Sequence, residues 1–152
     1  MPTPYRTRQV AVADDSRVGV IVVHCSDPRY QPHFQDFLRN GLGLTHYALL
    51  ATPGGVHHLT LTEYLPKFSW AGRRWVKFLA DLVQPERIVL IGHDDCRWYK
   101  GAQFLHLHGG TDDAQHADLR RLKAELRDRL PGSAVECWFA RLDGSEARFD
   151  QE

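Results

Sequence analysis

Cys25, Asp27 and Arg29 occupy alternate positions in residues 21–30, IVVHCSDPRY, where an apolar run breaks into polar chemistry. Residues 89–96, VLIGHDDC, repeat the arrangement: a second apolar run delivers His93 and Cys96. Two Cys sulfurs and one His nitrogen suit Zn2+, which favours tetrahedral nitrogen and sulfur coordination. Three protein ligands leave the fourth position to water, and zinc lowers the pKa of bound water to about 7. In an extended segment Asp27 shares a side with Cys25. It is placed either to take the fourth position itself or to accept a hydrogen bond from zinc-bound water. Arg29 is placed to pair with Asp27 through its forked donors and to hold it off the metal.

These groups converge only if the elements that carry them are neighbours. Residues 18–25 (VGVIVVHC) are β-branched without alternation and read as a strand covered on both faces. Residues 46–52 (HYALLAT), 87–92 (RIVLIG) and 134–142 (AVECWFARL) read as three more strands. Helical patterns lie between them. Pro32 suits a first helical position, Phe34, Phe37 and Leu38 share one face, and Asn40-Gly41 stops that helix. Ser69 is placed to cap a helix whose apolar face is Trp75, Phe78, Leu79, Leu82 and Val83, ended by Pro85. Asp112 with Gln115 resembles a capping box before a stripe of Leu119, Leu122, Leu126 and Leu130. The expected fold is α/β in three layers, with a mostly parallel four-stranded sheet and helices on both faces. The Asp143-Gly144 turn allows a short fifth, antiparallel strand around residues 147–149. Ligands of such sheets bind beyond the carboxyl ends of the strands, where Cys25 and the His93–Cys96 segment both fall.

The 152 residues are read as one domain, 1–152, with residues 1–16 as an N-terminal arm. Lys plus Arg equals Asp plus Glu, and zero net charge argues against a nucleic-acid partner, which needs a basic footprint. No apolar run approaches the ~20 residues of a membrane span, and the N-terminal stretch lacks the apolar core of a signal peptide. No membrane partner is expected, and the expected location is cytoplasmic. Three cysteines, an odd number, fit a reducing compartment better than a disulfide framework.

Cys-x-Asp-x-Arg after a first strand, followed by His-x-x-Cys after a later one, resembles the β-class carbonic anhydrases. Cys25, Asp27, Arg29, His93 and Cys96 match that family's motif residue by residue. The likeness spans residues 18–149 and includes the terminal strand and turn at residues 135–144 (VECWFARLDG). The resemblance implies zinc held by Cys25, His93 and Cys96, and reversible hydration of carbon dioxide to bicarbonate by zinc-bound hydroxide. It implies that Asp27 orients the hydroxide and Arg29 orients Asp27. It also implies a homodimer or higher homo-oligomer with sites near the subunit interface. Two places depart from the family pattern. Ala51-Thr52-Pro53-Gly54-Gly55 stands where the family carries an Arg-Asn-Ala-Gly-like segment, and Arg97 follows the second cysteine where the family has Gly. Arg97, Trp98 and Tyr99 set a bulky, charged stretch beside the metal and are expected to re-shape the pocket. Two other functions stay open: a zinc hydrolase acting on another small molecule, such as carbonyl sulfide or carbon disulfide, and a non-catalytic zinc-binding module. The sequence assigns no substrate-binding residue.

The other chemistry-bearing residues have plainer readings. A phosphatase loop separates its Cys and Arg by five residues to cradle phosphate; here three separate Cys25 from Arg29, and Asp27 would repel the anion. Cys137 reads as a small buried hydrophobe. His57, His58, His106 and His108 read as solvated histidines, with no proton shuttle assignable among them. Trp70, Trp75, Phe78 and Trp98 read as core or dimer-interface aromatics. Glu125 and Arg129 are spaced for a surface pair.

Overall fold

In the computed structural model, which describes residues 3–60, 66–102 and 110–152, the apolar runs become one sheet. β1 (Val20–Cys25), β2 (Ala48–Thr52), β3 (Arg87–His93) and β4 (Ala134–Asp143) are parallel, and β5 (Glu146–Gln151) returns antiparallel. The strand order is β2-β1-β3-β4-β5. The fifth strand is thus a full six-residue edge strand, longer than the three residues expected. Helices α1 (Gln31–Asp36), α2 (His57–Thr60), α3 (Pro66–Val83), α4 (Arg97–Gly101) and α5 (Thr111–Arg129) fill the connections. A π-helical turn, Phe37–Gly41, extends α1.

Strand alternation sorts the core into two layers. Ile21, Val23, Ile88 and Leu90 face Val76, Ala80 and Val83 of α3 and Leu119, Leu122 and Leu126 of α5. Val22, Val89 and Ile91 face Tyr30 and, from α1 and its extension, Phe34 and Leu38. Both faces of the central strands are therefore dry, which is why β1 and β3 read as continuous apolar runs instead of alternating ones. Gly92 sets how near α5 lies to β3: a Cβ there would stand 3.0 Å from both Leu119 and Phe139.

Three local expectations shift. α3 begins at Pro66, so Ser69 lies inside the helix and not at its cap. α5 begins at Thr111, where the Gly110 N–H donates to the Asp113 carboxylate at 3.4 Å, so Gln115 takes no part in a cap. The third concerns the buried face of α3. Val76, Ala80 and Val83 face the sheet, while Trp70 (63% exposed), Trp75 (46%), Phe78 (63%) and Leu82 (38%) point away from it. Small and β-branched side chains let the helix lie close on the strands, and the bulkier residues fall on the opposite side. These aromatics are not core.

Candidate metal centre

The site forms where two strands part. Pairing of β1 with β3 runs only to His24 opposite Ile91, whereas β3 stays paired with β4 as far as His93 opposite Ala140. Cys25 closes β1 and His93 closes β3, so both stand at the mouth of the resulting crevice. After His93 the chain reverses through Asp95, which holds a left-handed φ of 51°. Asp tolerates that region better than most residues because its short side chain can bond locally. The reversal sets Cys96 at the start of α4, facing Cys25.

The two sulfurs lie 4.0 Å apart, and with a His93 ring nitrogen the three donor atoms fall within 4.8 Å of one another. All three residues are buried. His93 Nδ1 donates to the Asp94 carbonyl at 2.7 Å, which fixes the tautomer and leaves a lone pair on Nε2. That Nε2 is buried without a hydrogen-bond partner among the described residues. A buried acceptor left unmatched costs about 1–3 kcal/mol, and a cation shared with the two sulfurs removes that cost. Cys25 Sγ also accepts the Gly54 N–H at 3.3 Å. The Cys25 thiol is held well below its ordinary range, first by hydrogen bonding from Cys96, then by His93 and the Gly54 N–H, against the effect of burial. Cys96 is pushed up by the same pairing and by burial. A metal ion that engages both sulfurs would displace their thiol protons. The donor set, two soft sulfurs and one imidazole, could hold a metal of the zinc type.

Gln115 sets the position of His93. Its side chain is buried, its Nε2 donates to the His93 carbonyl at 2.6 Å, and the His93 N–H donates to its Oε1 at 3.2 Å. A side-chain amide thereby occupies the place that β1 vacates. Residues 115, 119, 122 and 126 share one helical face, so a polar residue in line with three buried leucines was the signal that could have found it. The Tyr30 ring lies 4.2 Å from the His93 ring, and its hydroxyl donates to the Asp94 carboxylate.

Asp27 and Arg29 meet as the spacing predicts. Arg29 Nη2 donates to Asp27 Oδ2 at 2.7 Å, Nε to Oδ1 at 3.1 Å, and the Arg29 backbone N–H to Oδ1 at 2.9 Å. The Arg29 side chain holds the Asp27 carboxyl below the usual carboxylate range, despite burial. Arg29 also donates to the Asp95 carboxylate at 2.6 Å and to the Asp95 carbonyl at 2.8 Å, tying the loop after β1 to the loop after β3. Nothing in the sequence singled out Asp95. With its carboxylate turned to Arg29, Asp27 stands outside the Cys25–His93–Cys96 group.

A cavity of about 530 Å³ opens from Cys25. Pro28, Pro53 and Trp98 give it apolar walls, and Asp27, Arg29 and Arg97 bring charge to it. Trp98 packs against Cys25, Cys96 and Tyr99 and is at the same time a wall of this cavity. Its indole N–H donates to His57 Nδ1 at 2.7 Å. Its ring crosses Gly54, where φ is +77° and a Cβ would come within 2.2 Å of Trp98 Cδ1. His57 is buried with its ring 4.4 Å from Tyr99, and His58 stacks on Trp98 at 5.5 Å. Burial lowers the His58 pKa. Neither is the solvated histidine expected, because α2 tucks both beneath α4; His106 and His108 lie outside the described residues.

No protein-family model matches the sequence, and no curated protein matches it significantly. Solved structures do match the fold. A carbonic anhydrase from Glaciozyma antarctica superposes with a TM-score of 0.52 at 13% identity, over 88% of this chain and 82% of that one. The β-carbonic anhydrase CcaA gives 0.52 at 14%, over 86% and 78%. A tetrameric β-carbonic anhydrase from Sordaria macrospora gives 0.50 at 14%, over 90% and 81%. The chain has the β-carbonic anhydrase fold in a divergent form.

Proposed function

We propose that the chain is a zinc-dependent carbonic anhydrase that converts carbon dioxide and water reversibly to bicarbonate and a proton. The observation that carries this reading is the convergence of Cys25, His93 and Cys96 beside the Asp27–Arg29 pair, on the β-carbonic anhydrase fold. Cys25, His93 and Cys96 would hold the metal. Zinc supplies, when bound, the Lewis acidity that makes water a nucleophile near neutral pH. Asp27 is ionised and fixed in direction by Arg29: Oδ1 accepts two Arg29 bonds, while Oδ2 accepts one and keeps a lone pair free. It would accept a hydrogen bond from water in the metal site and so orient that oxygen toward the substrate carbon. Arg29 keeps Asp27 at this task by offering its carboxylate a charge-assisted, two-point partner away from the metal group. Pro28, Pro53 and Trp98 offer an apolar surface to a neutral linear substrate and limit the entry of water. The bicarbonate leaves through the open cavity and the proton passes to buffer.

The same reading covers assembly. The outward face of α3, with Trp70, Trp75, Phe78 and Leu82, and Leu49 on edge strand β2 leave apolar surface exposed. A homodimer that buries this face accounts for it, and a structural neighbour is tetrameric. Among the described residues no helix is long and apolar enough to cross a membrane.

Metal analysis and a stopped-flow hydration assay on one preparation test the proposal. The purified chain should carry about one zinc, and Cys96→Ser should lose most of it. Arg29→Ala should keep the zinc yet lose about 10- to 100-fold in hydration rate, the usual effect of removing a group that orients a metal site. Full zinc content with a rate no better than free aqueous zinc, anywhere between about pH 6 and pH 9, would leave a zinc-binding module in place of an enzyme.

A further inference from the structure

We propose that Arg97 is the anion-binding residue of this pocket, and that the anion it takes is a planar monocarboxylate-type ion. On the reading above the ion is bicarbonate; that identification rests on the proposed function, while the site itself does not.

Besides Cys25 of the metal-binding group, three charged residues line the cavity. Asp27 and Arg29 neutralise each other through a two-point pair, and Arg29 is further engaged by Asp95. Asp95 in turn pairs with Lys100 as well, so it is saturated by two other cations. Arg97 is exposed, and among the described residues neither a hydrogen bond nor an ion pair engages its guanidinium. Apart from Cys25, which belongs to the metal-binding group, the lining is left with one unbalanced charge, a positive one, and Arg97 carries it. The neighbouring walls, Pro28, Pro53 and Trp98, are apolar, and low-dielectric walls concentrate the field of a charge set among them.

The geometry of the group narrows the ligand. A guanidinium offers parallel N–H donors that match the two oxygens of a planar carboxylate, a fit that the point charge of Lys does not reproduce. Arg97 is also the residue after Cys96, at the first position of α4. Its backbone is anchored beside the metal-binding group, so an anion on Arg97 shares the cavity with Cys25. A neutral linear substrate has no use for this charge. Its anionic product, or the substrate of the reverse reaction, does. The Ser26 hydroxyl lines the same cavity and can donate to a further oxygen.

The test is calorimetric titration of the zinc-loaded full-length chain with acetate, an unreactive planar carboxylate, and with acetamide, its neutral counterpart. Wild type, Arg97→Ala and Arg97→Lys are compared, with zinc content measured for each. Arg97→Ala should keep its zinc and bind acetate about 10- to 100-fold more weakly, as expected for loss of a charge-assisted partner. Arg97→Lys should recover part of that loss, and acetamide binding should not respond to either change. In the dehydration direction, Arg97→Ala should raise KM for bicarbonate more than it lowers kcat. Acetate bound equally by wild type and Arg97→Ala, or not bound by wild type, would make Arg97 a solvated surface cation and overturn the proposal. The two readings fail separately. An acetate effect in a chain that does not hydrate carbon dioxide keeps the anion site and removes bicarbonate as its occupant; hydration with unaltered acetate affinity does the reverse.

Discussion

Gln115→Leu removes the amide that substitutes for a strand at the end of β3 while nearly preserving side-chain volume. The His93 N–H and carbonyl would then be buried without their partners at 3.2 and 2.6 Å. Each such group costs about 1–3 kcal/mol, so the folded chain should lose about 2–6 kcal/mol. At about 2–4 °C per kcal/mol for a domain of this size, that corresponds to a fall in Tm of about 4–24 °C. The same loss frees the backbone that aims the His93 ring, so zinc affinity should drop about 10- to 100-fold, the range for residues that orient a metal ligand. Scanning calorimetry gives the first quantity and competition with a chromophoric chelator the second. Leu122→Ala supplies the comparison: it lies on the same buried stripe, should cost about 2–5 kcal/mol, and does not touch His93. If Gln115→Leu binds zinc as wild type does, or loses no more zinc affinity than Leu122→Ala, Gln115 is only a core residue and the positioning argument fails.

Acid stability offers an independent check on the Asp27–Arg29 pair. Arg29 holds the folded-state pKa of Asp27 below its unfolded value, so within that interval the unfolded chain binds more protons and stability rises with pH. The contribution is complete above the unfolded value of about 3.9 and disappears as pH falls through the lowered folded value. Urea midpoints measured from about pH 2 to pH 5 should therefore fall less steeply on acidification for Asp27→Asn than for wild type, and parallel slopes would contradict the linkage. Light scattering should give wild type a mass near twice the 17.4 kDa chain. Trp75→Ser combined with Phe78→Ser should return it to a single chain, and a wild type already monomeric at micromolar concentration removes the role given to the outer face of α3.

What was legible in the sequence was what depends on local order. β1 and β3 are continuous apolar runs because both of their faces are covered, and their carboxyl ends carry Cys25 and His93 as the parallel topology requires. The Asp27–Arg29 pair follows from two-residue spacing alone. The rest depends on which side of an element the tertiary structure selects. α3 carries apolar residues on both sides, and the larger ones, Trp75, Phe78 and Leu82, suggested the inner face; close approach to the sheet chose Val76, Ala80 and Val83 instead. Gln115 matched a local capping pattern, yet its partner is the end of a strand far away in sequence. His57 and His58 were unreadable for a similar reason: their burial is supplied by Trp98 and Tyr99 from α4.

The overlap of Gly54 with Trp98 restricts how a sequence of this kind can change with time. A methyl at position 54 would have to share space with the indole, 2.2 Å from Cδ1, and would in addition sit at a φ of +77° that disfavours any side chain. Substitution there is tolerated only after position 98 has already become smaller, and an indole can enter at 98 only where position 54 is already bare. The two sites therefore have an obligatory order of replacement that differs with the direction of travel. A loop with a side chain at 54 and a pocket wall made by Trp98 are alternative end points, and the single-step neighbour carrying both is a gap that descent has to go around.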